Sequence, residues 1–122
     1  MINSYKDLEV WQKSMALVTE IYRIVKLLPP EERYALSDQM RRAAVSIPSN
    51  IAEGHARSNR RDYINFLSMS RGSNAELQTQ CLICVNLGYI KNDNIQLALS
   101  LSDEVGRMLT TLIAKLVAAT KP

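Results

Sequence analysis

Apolar residues recur at alternating spacings of three and four along four stretches of the chain, and nowhere in the strict alternation that a half-buried strand requires. The first stretch runs from about Asp7 to Leu28, with Leu8, Trp11, Met15, Val18, Tyr22 and Val25 as its predicted buried stripe. Asp7 and Glu9 near its start and Lys26 near its end suit the helix macrodipole. Pro29 and Pro30 stop it, because neither can donate the next backbone hydrogen bond. Pro30, Glu31 and Glu32 open a second predicted helix, whose stripe is Ser37, Met40, Ala44, Ile47, Ile51 and Gly54. Pro48 lies inside this stripe and is expected to kink the helix rather than end it, with the Ala44 carbonyl left unpaired.

Gly54 through Ser58 reads as a turn, and Asn59 with Asp62 has the spacing of a helix cap and its reciprocal acid. The third predicted helix spans about Arg60 to Leu87, with Tyr63, Leu67, Ser70, Asn74, Leu77, Cys81 and Cys84 inward and Phe66 beside them. Gly72 in its middle costs about 1 kcal/mol relative to alanine, which predicts a close helix crossing there. Gly88-Tyr89 and Asn92-Asp93-Asn94 form the last turn. A fourth helix follows from about Asn94 to Ala119, with Ala98, Leu101, Val105, Leu109, Leu112 and Leu116 inward. The pattern predicts an all-α fold: one domain, residues 1–122, forming an up-down-up-down four-helix bundle with helix 2 kinked near Pro48.

Helices 1 and 4 carry more apolar residues than one core accommodates. Val10, Leu17, Ile21, Ile24 and Leu28 lie off the main stripe of helix 1, and the apolar arc of helix 4 runs from Leu97 through Val117. This surplus predicts a homo-oligomer assembled through helices 1 and 4.

Composition narrows the function classes. A chain of 122 residues with 47% apolar and 22% charged residues is an ordinary globular domain. No stretch approaches the roughly 18 uncharged apolar residues of a membrane span, and the start lacks the apolar run of a signal peptide. Cys81 and Cys84, both on one helix, imply no disulfide framework, so the expected compartment is the cytoplasm. The net charge of +3 is unevenly placed. Between Arg41 and Arg71 lie six arginines against Glu53 and Asp62, a net of four positive charges, so the remainder of the chain sums to one negative charge.

Cofactor chemistry finds little to hold it. His55 is the single histidine and reads as a loop residue, so a di-iron centre with paired Glu-x-x-His motifs is not supported. Val85 rather than histidine follows Cys81-Leu82-Ile83-Cys84, and no second Cys or His pair completes a zinc site. Both cysteines read as core residues. Ser46, Ser49, Ser70 and Ser73 lack a neighbouring base and read as small packing residues. No cofactor, metal or catalytic centre is expected, and an enzyme is not expected for want of a paired acid and base. Asn74 on the stripe of helix 3 and Asn50 beside that of helix 2 predict a polar core layer with Ser46, Ser70 or Glu53, fixing helix register.

The arginines are the feature with functional reach. Arg41, Arg42, Arg57, Arg60, Arg61 and Arg71 are candidates for contacts to RNA or DNA phosphates, which guanidinium forks match. The competing reading is charge pairing: Glu53 and Arg57 are four residues apart, as are Asp103 and Arg107, and arginines also serve intersubunit salt bridges.

The segments Arg42 to Gly54 (RAAVSIPSNIAEG) and Phe66 to Thr79 (FLSMSRGSNAELQT) are distinctive. Together with Tyr5-Lys6-Asp7-Leu8, Val10-Trp11 and Gly88-Tyr89-Ile90, they resemble the bacterial four-helix-bundle family of proteins encoded in 23S rRNA intervening sequences, over about Tyr5 to Leu116. The resemblance implies an up-down-up-down bundle, a five-membered ring, and an RNA-binding or ribonucleoprotein accessory role. A related retroelement accessory protein adds a protein partner, a reverse transcriptase, to what is implied. Ser70, Asn74 and Gln78 depart from the family pattern and make helix 3 more polar.

Overall fold

The computed structural model describes residues 4–119, and every regular element within them is helical. After a 3₁₀ turn at Tyr5–Asp7 come α1 (Glu9–Val25), a second 3₁₀ turn (Pro30–Glu32), α2 (Leu36–His55), α3 (Arg60–Asn86) and α4 (Asn92–Ala119). Local chemistry accounts for the ends. The Asn59 side chain accepts a hydrogen bond from the Asp62 backbone N–H at 2.8 Å, capping α3 as its spacing predicts. At the other end of α3, Gly88 takes the left-handed conformation (φ 77°), with Gly88 N–H donating to Val85 C=O and Tyr89 N–H to Cys84 C=O. That pair of bonds is a Schellman motif and satisfies two orphan carbonyls.

The second helix starts later than its proline and acids suggest. Ala35 adopts a non-helical conformation (φ −120°, ψ −104°), so Pro30–Glu32 remains a separate turn and α2 begins at Leu36. Glu32 acts from outside α2 instead: one carboxylate oxygen accepts from the Leu36 N–H, and the other accepts from the Tyr89 hydroxyl at 2.7 Å. α2 then runs unbroken past the buried Pro48, and its last residue is His55, so the turn is shorter than the sequence suggests. Around the proline, Ser46, Asn50 and Ser70 side chains donate to the carbonyls of Ala43, Ser46 and Ile47.

Each helix packs against its neighbours in sequence, and α1 closes the ring against α4. The contacts run in opposite senses along each pair. Arg60 meets Ala119, Asn74 meets Ser102 and Gln78 meets Asp103 between α3 and α4. Lys13 meets Glu104 and Arg23 meets Asn94 between α1 and α4. The fold is an all-α, up-down-up-down four-helix bundle.

The stripes expected for α2 and α3 are buried, apart from Tyr63, which is half-buried. Of the stripe expected for α1, Leu8 and Val25 are buried at its two ends, but between them a different row forms the core. Val10, Leu17, Ile21, Ile24 and Leu28 fill the core, Ile21 with no exposed surface, while Met15 and Tyr22 are 43% and 42% exposed. Two rows of α1 share the same spacing, and the branched aliphatic row goes inward; Ser14 is buried within it because its hydroxyl donates to the Trp11 carbonyl. On α4 the core row is Ile95, Ala98, Ser102, Val105, Leu109 and Ile113, with Leu101, Leu112 and Leu116 half-buried beside it.

The close crossing expected at Gly72 is absent. A β-carbon there would meet nothing within 4 Å. The crossings lie at Gly54, against Phe66 and Tyr63, and at Gly106, against Asn74. Gly72→Ala is therefore expected to raise the unfolding free energy by about 0.5–1 kcal/mol, because alanine loses less backbone freedom on folding, which a urea titration checks.

Cys81 and Cys84 are buried free thiols, and Cys84 contacts the sulfur of Met40 at 3.5 Å. Burial pushes the Cys81 thiol up to about 12 and the Cys84 thiol up to about 11, which keeps both protonated at neutral pH.

Candidate nucleic-acid interface

The six predicted arginines do not form one patch. Arg41 lies fourteen residues before His55, the end of α2, which places it about 21 Å along the axis from the α2–α3 turn at 1.5 Å per residue. Its guanidinium donates to the Arg33 carbonyl. Arg42 beside it bridges Asp38 at 3.1 Å, one helical turn away. Arg57, at the turn, bridges Glu53 at 2.8 Å and lies 4.7 Å over the Phe66 ring. Two of the six are thus already neutralised within the chain.

The rest sort differently. Arg60 donates to the Ala119 carbonyl at the end of α4, where the negative pole of that helix favours a cation. Arg61 and Arg71 are exposed and have no hydrogen bond or ion pair among the described residues. At 100° per residue Arg60 and Arg71 stand about 20° apart on α3, so they share the side that meets α4.

A seventh arginine belongs with them. Arg107 was expected to pair with Asp103 across one turn of α4. Instead the Asp103 carboxylate accepts the Gln78 amide of α3 at 2.8 Å, and Arg107 has no ion pair or hydrogen bond among the described residues. Arg71 and Arg107 line opposite walls of a groove of about 560 Å³ between α3 and α4, with Thr110 and Thr111 beside them and Asn74 at its floor. The signal for Arg107 was present in the antiparallel register, which puts Gln78 opposite Asp103.

The polar core layer is also smaller than expected. Asn74 is buried, but its partner is Ser102 of α4 rather than Ser46, Ser70 or Glu53 of the neighbouring sequence. Asn50 is half-buried and donates to the Ser46 carbonyl. Glu53 is not in the core: its side chain is 54% exposed, held outward by Arg57. His55 closes α2 with its ring edge-on to Tyr63, centroids 5.7 Å apart. No cluster of three or more potential metal ligands occurs among the described residues, and no helix is long and apolar enough to cross a membrane.

Residues 6–111 match the family model of the 23S rRNA-intervening sequence protein. The chain belongs to that family. No curated protein matches the chain. Among solved structures, the chain is similar to a protein with unknown function from the S23 ribosomal protein family of Bacteroides thetaiotaomicron VPI-5482. The two are 26% identical with a TM-score of 0.79, over 85% of this chain and 97% of the other. In this 23S rRNA-intervening sequence protein the matched span starts in the 3₁₀ turn before α1 and ends well into α4, so it takes in Arg71, Arg107 and the whole groove between them.

Proposed function

We propose that this chain is a non-enzymatic, homo-oligomeric bundle that binds nucleic-acid phosphates, RNA foremost, as a ribonucleoprotein accessory factor in the cytoplasm. The contacts are assigned to the α3–α4 side: Arg71 and Arg107 on the groove, with Arg60 beyond its end. The observation that carries the reading is the sorting of charges. Arg42 and Arg57 spend their guanidinium groups on acids one turn away, whereas Arg71 and Arg107 face solvent across a groove whose acid is engaged by Gln78. A planar guanidinium held without a partner can form two parallel hydrogen bonds to a phosphate. Self-association is supported by the apolar surface left on α1 and α4, notably Met15, Tyr22, Leu97 and Val117. The two buried, unpaired thiols suit a reducing compartment.

Fluorescence anisotropy with a labelled RNA hairpin at about 50 mM salt tests this, because phosphate contacts are strongest at low salt. Replacing Arg71 and Arg107 by alanine together is expected to weaken binding about tenfold or more, and Arg42→Ala to change it by less than about twofold. Absence of binding by the unaltered chain, or equal losses from Arg42→Ala and the double substitution, contradicts the proposal. The alternative function, a protein-interaction bundle with intersubunit salt bridges, would draw on the same Arg61, Arg71 and Arg107, which have no partner among the described residues, and would show no affinity for the hairpin.

A further inference from the structure

We infer that the α3–α4 groove is a built oxyanion pocket that seats a single phosphate group, with Asn74 as a donor in its floor. The inference deepens the phosphate-binding reading above, but it concerns one discrete site rather than a charged surface.

The floor is set by backbone and small side chains. An ideal β-carbon at Gly106 would stand 3.2 Å from Asn74 Nδ2, so the amide reaches the glycine backbone and no side chain from that position covers it. Asn74 is only 6% exposed, yet its amide is not fully used. Nδ2 donates to the Ser102 carbonyl at 2.9 Å, and Oδ1 accepts from the Ser102 hydroxyl at 2.9 Å. A backbone carbonyl can only accept, which fixes the nitrogen on that side of the amide. The second Nδ2 hydrogen then has no acceptor among the described residues. Asn74 lines the groove, so an oxygen seated there can accept that hydrogen.

The walls add charge. Arg71 and Arg107 flank this floor, one from each helix, and neither has a partner among the described residues. Thr110 and Thr111 also line the groove and bring hydroxyls that can donate to the remaining oxygens. Asp103, bonded to Gln78, lines the same groove one turn before Arg107 on α4, about 6 Å from it along the axis. That carboxylate disfavours a second negative group beside it, so the groove accepts one phosphate rather than a run of adjacent ones. Free phosphate and the phosphodiester of a nucleic acid share this chemistry.

Titration of ¹⁵N-labelled protein with inorganic phosphate, against sodium chloride at equal ionic strength, tests the pocket by NMR. Saturable shifts are expected at the Asn74 side-chain amide and the Arg71 and Arg107 guanidinium N–H signals. Arg107→Gln should raise the apparent Kd at least tenfold. Lys115→Gln, an equal charge loss two turns away on α4 and off the groove, should change it less than twofold. A single-stranded oligonucleotide in a second arm separates the sources. If it displaces phosphate from these signals, the natural group is a phosphodiester. If phosphate binds and the oligonucleotide does not, the pocket stands while the nucleic-acid reading falls. Shifts that grow linearly and touch all exposed arginines alike, or equal losses from Arg107→Gln and Lys115→Gln, overturn the inference.

Discussion

Ile21→Ala is expected to lower the unfolding free energy by about 2–5 kcal/mol, the range for truncating a fully buried isoleucine. Ile21 has no exposed surface and sits in the row with Leu17 and Ile24, which are equally enclosed by the other helices. Removing three carbons leaves a cavity that flanking helices close only in part, so the loss exceeds simple transfer to water. Met15, also apolar and also on α1, is 43% exposed, and Met15→Ala is expected to cost less than about 1 kcal/mol. Urea unfolding of both variants, at concentrations where any assembly has dissociated, compares the two rows of α1 directly. Equal losses would mean that the inward face of α1 has been assigned wrongly.

Gly54→Ala is expected to destabilise by about 1–3 kcal/mol, although the same substitution at Gly72 stabilises. A β-carbon at Gly54 would lie 2.7 Å from the β-carbon of Phe66 and 3.3 Å from the Tyr63 carbonyl. Neither is the far end of a flexible side chain, so α2 and α3 must move apart, and core packing between them is lost along their length. That loss outweighs the roughly 1 kcal/mol by which alanine is the better helix former. Thermal unfolding of the two alanine variants is expected to shift in opposite directions. A rise in Tm for both would show that the helices have room at Gly54.

What could be read from the residues divides along physical lines. The four helices, the Asn59 cap and the inward rows of α2 and α3 were legible because each of those helices carries one dominant row. α1 carries two rows with equal spacing, and periodicity alone cannot rank them. The row of Val10, Leu17, Ile21, Ile24 and Leu28 fills the core, while Trp11 and Val18 are half-buried and Met15 and Tyr22 are exposed. On α4, Ser102 interrupted the apolar pattern at a position that is buried, because its partner Asn74 lies on another helix. Glycine spacing was ambiguous for the same reason. A mid-helix glycine signals a crossing only when a neighbour approaches, and Gly72 has none.

The candidate site was half legible. The arginine excess stood out, but its members were grouped by sequence and not by helix face, which joined Arg41 and Arg42 to residues at the opposite end of α2. Arg107 was hidden by an acid four residues before it, a spacing that usually means an ion pair. Only the register of α3 against α4 assigns that acid to Gln78 and leaves the arginine without a partner among the described residues.

The salt dependence of RNA-hairpin affinity tests the central claim most directly. For the unaltered chain, log affinity should fall steeply and linearly with log salt, and loss of Arg71 and Arg107, which hold one phosphate between them, should flatten the slope by about 0.7–0.9, the value for one phosphate contact. A slope that is unchanged in the double variant, at whatever affinity, would contradict the assignment of phosphate contacts to the α3–α4 groove.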